Sequence, residues 1–222
     1  MYSTFKHYIG VIFDTLFPHT CAGCGTSGTV LCRGCEGILE TAHHAPHPWI
    51  HAPFSYHDKA IQKIVRVIKS RNHEPTFAWA AAHCHDSVIE ITHEHALYSS
   101  PLRWILVPIP ISRTRNRERG FNQALELARH IKNFSVKELL IKNESHKGSK
   151  QALTKNRNER LRNVKGSFGV KNFQGDTDAI GIILIDDVTT TGATLAGARK
   201  VLKKAGFKTI HAVAFAFQPL VG

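Results

Sequence analysis

Residues 181–195 read GIILIDDVTTTGATL. An apolar run, Gly181–Ile185, ends in two adjacent carboxylates, Asp186 and Asp187. A Thr/Gly loop follows, and a helix opens at Ala193. An unbroken apolar run of this length reads as a strand covered on both faces. Burying two unpaired carboxylates is costly, so a pair at a buried strand end needs a reason to be there. Together these features demand an open α/β sheet with a polar site at the carboxyl ends of its strands.

The rest of the chain supplies the other pieces. Ile61, Ile64, Val65 and Ile68 form a helical stripe within residues 59–70. Pro75 opens a second helix that runs to about His93. Trp104–Pro108 is a second buried strand, residues 122–133 are helical, and residues 136–141 form a strand. The helix 193–205 stops at Gly206, and Thr209–Phe217 is the last strand. Strands alternating with helices predict a central, mostly parallel sheet. Residues 1–45 and 46–222 are the predicted divisions, with a Pro-containing linker at 46–58 leading into the larger part.

Four of the five cysteines form two C-x-x-C turns, Cys21/Cys24 and Cys32/Cys35, seven residues apart. Two such turns offer four thiolates to one ion, the closed arrangement of a structural zinc site. Disulfides and a redox C-x-x-C are the alternatives. The first is disfavoured by a reducing compartment and the second by the presence of two pairs. Cys84 falls on the apolar face of its helix and is read as core. His43, His44, His47, His51, His83 and His85 are read as surface or packing residues rather than a second metal set.

The N-terminal stretch is interrupted by Lys6, His7 and Asp14, so neither a membrane span nor a signal peptide is predicted. Phe5, Ile9, Ile12 and Leu16 predict a short amphipathic helix. The expected location is cytoplasmic.

The net charge of +12 is concentrated. Residues 103–172 hold seventeen basic and five acidic side chains, and the segments on either side are close to neutral. A field confined to seventy residues points to a polyanionic ligand. In the 181–195 segment, a Thr/Gly loop and a helix N-terminus can cradle a phosphate. Two carboxylates beside that phosphate make sense when the ligand also carries hydroxyls. A ribose 5-phosphate with free 2- and 3-hydroxyls meets that description.

The segment resembles the phosphoribosyl pyrophosphate (PRPP) motif of type I phosphoribosyltransferases. LVPIPISRTRNRERGFNQALELA (106–128), QALTKNRNERLRNVKGSF (151–168) and the cysteine module resemble the ComF family within that superfamily. The resemblance implies a type I phosphoribosyltransferase fold plus a small N-terminal zinc module with four cysteine ligands. It also implies that Asp186 and Asp187 act at the ribose hydroxyls, directly or through Mg²⁺. Val188, Thr189, Thr190, Thr191, Gly192, Ala193 and Thr194 would hold the 5-phosphate. Ser112 and Arg113 would lie at the pyrophosphate turn, with Arg119, Asn122 and Gln123 in the same cleft. Residues 148–164 match a loop that closes over the site. Where many ComF-like proteins carry a further cysteine pair, this chain has the His/Pro stretch 43–53.

Two functions follow. The family's association with natural transformation implies a role in DNA uptake, with single-stranded DNA and other competence proteins as partners. Arg115, Arg117, Lys155, Arg157, Arg160 and Arg162 are the candidate nucleic-acid contacts. The alternative is an active phosphoribosyltransferase of nucleotide metabolism, for which no acceptor site is evident.

Overall fold

The computed structural model describes residues 20–42, 45, 47–143 and 167–219. The predicted N-terminal helix and most of the 148–168 segment lie outside them. Fourteen elements are described, in the order α1 (Arg33–Glu36), β1 (Ile50–His51), β2 (Phe54–Ser55), α2 (Lys59–Ser70), α3 (Glu74–Tyr98), β3 (Arg103–Pro108), α4 (Arg113–Arg119), α5 (Gln123–His130), β4 (Ser135–Val136), β5 (Leu140–Lys142), β6 (Phe168–Val170), β7 (Ile180–Thr189), α6 (Ala193–Lys204) and β8 (Thr209–Phe217).

The main sheet is ordered β1–β8–β7–β3–β4, with β2 also on β8, and every pairing in it is parallel. This is the predicted mostly parallel sheet. β1 and β2 meet β8 in one register, Ile50 opposite Ala212 and Phe54 opposite Ala216. They are one edge strand interrupted at Ala52-Pro53, where proline has no N–H to give the ladder. β5 and β6 form a separate antiparallel pair.

Alternation along β7 explains its unbroken hydrophobicity. Ile183 and Ile185 join Leu106 in one core with α2, α3 and α5. Ile182 and Leu184 join Ile105 and Val107 in a second core with α6, β5 and β6. Successive side chains point to opposite faces, and both faces are covered. The α2 stripe Ile61, Ile64, Val65 and Ile68 is buried as its spacing predicts. Asp58 caps that helix, accepting from Ala60 N at 2.7 Å and Ile61 N at 3.1 Å. Cys84 is fully buried in the first core.

Three elements differ from the sequence reading. β7 continues through both aspartates to Thr189, because β8 pairs with it as far as Phe217. α3 runs on to Tyr98, leaving Leu97 and Tyr98 exposed, since no stop signal precedes Ser99. The expected strand 136–141 is two short pieces on two sheets, β4 on β3 and β5 on β6.

Gly181 lies against the Trp104 ring, and a Cβ there would clash with Trp104 Cε3. Gly181→Ala forces the indole or the β3–β7 pairing to shift. Overpacking of this kind costs about 1–3 kcal/mol, which chemical denaturation will register as a lower midpoint.

Candidate sugar-phosphate cleft and thiol knuckle

The acid pair sits near the carboxyl end of β7. Asp186 and Asp187 are buried, with 9% and 5% of their surface exposed. Lys69 Nζ, from the last turn of α2, lies 3.1 Å from Asp187 Oδ2. Gln123 Nε2 donates to Asp187 Oδ1 at 3.5 Å. Asp186 Oδ1 accepts the Asp187 backbone N–H at 2.9 Å. Burial pushes the Asp186 carboxyl well above the usual range, and the neighbouring Asp187 charge reinforces it. For Asp187 burial acts in the same direction, but Lys69, Asp186 and Gln123 outweigh it and hold its pKa down. The two carboxyls therefore titrate apart, Asp186 upward and Asp187 downward.

Around the pair opens a cleft of about 520 Å³. Four cations line it: Lys69, Arg115, Arg119 and Lys142. Four cations against two carboxyls leave the cleft positive. Among the described residues, Arg119 Nη1 and Gln123 Oε1 are buried without a hydrogen-bond partner. Buried polar groups are almost always paired, so an orphan donor and acceptor on two cleft residues read as positions kept for a ligand. Lys142 lies 4.2 Å over the Phe168 ring, and burial together with Arg115 lowers its pKa.

The loop after β3 builds the opposite wall. Ser112 caps α4, its Oγ accepting from Arg115 N at 3.3 Å, and lines the cleft. Residues 119–123 join two helices. Arg119 ends α4, Gly120 turns the chain at φ 78°, and Asn122 caps α5 by accepting from Ala124 N at 3.1 Å. Only glycine adopts that turn without strain. Asn122 Nδ2 also donates to Ile109 O at 3.1 Å, tying the β3 loop to α5. Asn122 thus holds the wall in place and is not among its lining.

The expected residues divide accordingly. Asp186, Asp187, Val188, Thr194, Ser112, Arg119 and Gln123 line the cleft. Thr189 is a buried β7 residue whose carbonyl accepts from Gln218 N at 2.9 Å. Thr190, Thr191, Gly192 and Ala193 form the turn into α6, with Gly192 at φ 71° and Thr191 Oγ1 accepting from Ala193 N at 3.3 Å. Arg113 and Arg117 are four residues apart on α4, as are Arg115 and Arg119, and the two pairs occupy opposite sides of the helix. Arg115 therefore joins the cleft, while Arg113 and Arg117 are outside its lining. Lys155, Arg157, Arg160 and Arg162 lie outside the described residues. Lys69 and Lys142 are additions that no motif marks. A buried acid pair does require a counter-ion, but nothing in the sequence says which element delivers it.

The four cysteines converge. All four Sγ atoms lie within 4.8 Å of one another, and Cys24 Sγ is 3.7 Å from Cys32 Sγ. Tetrahedral zinc with Zn–S near ~2.3 Å requires sulfurs about 3.8 Å apart, so the donor set fits the ion. Burial raises the Cys21 thiol, but N–H groups of Cys24, Cys32 and Gly23 outweigh it and bring the pKa to about 6. Cys35 is pushed up to about 12 by Cys32 and burial. The knuckle packs on α2 and α3: Cys21 and Leu31 meet Ala60, Lys63 Nζ donates to Ala22 O at 2.8 Å, and His83 pairs with Glu36 at 2.9 Å.

The fold and its two sites define a class: a parallel α/β protein with a cation-lined acid-pair cleft and a four-thiol knuckle. The curated relatives share a narrower description. The chain is 43% identical over 103 residues to competence protein ComFC of Bacillus subtilis, covering 46% of this chain and 40% of that protein. It is 40% identical over 104 residues to ComFC of Streptococcus pneumoniae, covering 47% and 44%. It is 28% identical over 109 residues to competence protein F of Haemophilus influenzae, covering 48% and 47%. The chain is thus a homologue of the ComFC and F competence proteins over less than half of their length. No protein-family model matches it. Among solved structures, a Staphylococcus aureus hypoxanthine phosphoribosyltransferase is similar at a TM-score of 0.36 and 11% identity, covering 64% of this chain and 72% of that one. A Pyrococcus horikoshii purine phosphoribosyltransferase is similar at 0.34 and 16%, covering 63% and 73%. No described helix is long and apolar enough to cross a membrane.

Two outcomes follow from these sites. A Cβ on Gly23 would meet Cys35 Sγ at 2.6 Å. Gly23→Ala is expected to lower the zinc retained per chain after loading and to lower the melting temperature, and chelation of the wild type is expected to lower it likewise. Second, folded Asp186 keeps its proton above the ordinary pKa of 3.8, whereas the unfolded chain releases it. Between those two pKa values Asp186 makes stability fall by about 1.4 kcal/mol per pH unit as pH rises. In Asp186→Asn, denaturation measured across pH should lack that component, and stability at neutral pH should rise.

Proposed function

We propose that the chain is a ComF-like protein of natural transformation that binds PRPP in the cleft between the β3 loop and β7. The observation that carries the reading is the ring of Lys69, Arg115, Arg119 and Lys142 around a buried acid pair. A sugar phosphate bearing pyrophosphate suits both halves. Its hydroxyls donate to Asp186 and Asp187, and its phosphates meet Arg115, Arg119 and the α6 N-terminus beside Thr194. Mg²⁺, when bound with the ligand, would neutralise pyrophosphate charge. Zinc in the thiol knuckle is structural, because four thiols leave no open coordination position.

Binding is favoured over transfer. The apolar lining of the cleft is Ile109, Pro110, Ile111 and Val188, with no aromatic ring among the described residues to stack an acceptor base. The competence proteins among the relatives support a role in competence; we infer from it DNA uptake in the cytoplasm, with single-stranded DNA and other competence proteins as partners. The excess charge of residues 103–172 would contribute to DNA contacts through Arg117, Lys155, Arg157, Arg160 and Arg162.

Calorimetric titration of the zinc-loaded protein with PRPP and Mg²⁺ tests the reading. Binding is expected in the wild type, with at least tenfold loss in Asp187→Asn and in Arg119→Ala, since each charge-assisted contact is worth about 1.5–3 kcal/mol. No wild-type binding, or unchanged affinity in both variants, contradicts it. Release of pyrophosphate with a base or amine acceptor would establish the transferase alternative.

A further inference from the structure

The side of α6 away from the acid pair carries a second basic feature. Arg199, Lys200, Lys203 and Lys204, with His47, Trp49 and Ala196, border an open groove of about 530 Å³. Thr194, in the first turn of the same helix, lines the sugar-phosphate cleft. At 1.5 Å per residue, Lys204 is about 15 Å further along the axis. No acidic residue borders the groove among the described residues. Lys200, Lys203 and Lys204 are exposed and make no ion pair among the described residues. Lys203 and Lys204 complement the helix C-terminus, but Arg199 and Lys200 stand before the last turn.

The aromatic half is already arranged for stacking. Arg199 Nε donates to Ile210 O at 3.2 Å, and its guanidinium lies 4.5 Å from the Trp49 ring centre. The exposed His47 ring stacks on Trp49 with centroids 5.7 Å apart and planes within 12°. His47 stands between two prolines in the sequence, Pro46 and Pro48. It is a small planar ring in the place an unpaired base would take. Residues 103–172 supply charge, with no comparable platform among those described.

We propose that this groove binds single-stranded nucleic acid, the lysines following the phosphates and Trp49 taking a base in place of His47. The proposal deepens the nucleic-acid part of the proposed function and does not depend on the ligand in the cleft. Cationic side chains beside a stacking ring are the recurrent means of holding a strand without reading its sequence. A duplex keeps its bases stacked on each other and gains only the electrostatic part.

The test is titration of the full-length, zinc-loaded protein with oligo-dT at several salt concentrations, followed by tryptophan fluorescence and anisotropy. Wild-type fluorescence should be quenched. Trp49→Ala should lose that quenching and bind about 5- to 100-fold more weakly. His47→Ala should bind more tightly, which a merely structural role for His47 would not produce. Replacing Lys200, Lys203 and Lys204 by Gln should reduce the salt slope by about 2, at roughly 0.7 per phosphate contact. Three results would each overturn the proposal: no oligo-dT binding, equal binding of a duplex, or unchanged affinity in both Trp49→Ala and the lysine variant. PRPP calorimetry on the same variants separates the two readings. Retained PRPP binding with weakened oligo-dT binding supports the groove. Failure of PRPP binding in every protein, wild type included, overturns the cleft assignment alone.

Discussion

Two adjacent carboxylates held inside a parallel sheet set the terms for the structure around them. Asp186 and Asp187 both line one cleft, and both remain almost without solvent. Two full charges this close are not sustainable there. The protein treats the two unequally: burial and the neighbouring acid raise the Asp186 pKa, while Asp187 has the Lys69 ammonium and the Gln123 amide. α2 must therefore end where it does, and α5 must begin with Gln123 facing β7. The β3 loop must fold so that Arg115 and Arg119 complete the ring.

The same helix that delivers Lys69 also carries the thiol knuckle. Ala60 in its first turn packs on Cys21 and Leu31, and Lys63 holds the Ala22 carbonyl. α2 thus runs from the thiol knuckle to the acid pair. A knuckle of some twenty residues has little core of its own and draws on α2 and α3 for stability, to which an ion held by the four thiols would add.

Much of this was legible in the sequence. The continuous apolar run 181–185 announced a strand covered on both faces, and the α2 stripe announced its buried side. The paired C-x-x-C turns announced four converging thiols. The acid pair, the Ser112 turn, Arg119 and Gln123 were marked by the motifs. What was not legible depended on three-dimensional delivery. Lys69 sits at the end of a helix whose polar faces hold other basic residues, and Lys142 is on a three-residue strand. Neither position is distinguished until the fold brings it to Asp186 and Asp187. The alternating arginines of RTRNRER were visible. Their division into a cleft pair and an outer pair required a helix over residues 113–119, which the lack of apolar periodicity hid. The β7 boundary was misplaced because two charged residues look like a strand end, whereas the β8 ladder carries the strand through them.

The central claim is that the cleft around Asp186 and Asp187 holds a sugar phosphate with its hydroxyls on the acids and its pyrophosphate on the arginines. A crystal structure of the protein with PRPP and Mg²⁺ tests it most directly. The predicted density places the ribose hydroxyls within hydrogen-bond reach of the two carboxylates and the pyrophosphate against Arg115 and Arg119. Lys69 should remain beside Asp187 or turn to a phosphate. Ligand density elsewhere, or an empty cleft at saturating PRPP, would contradict the account.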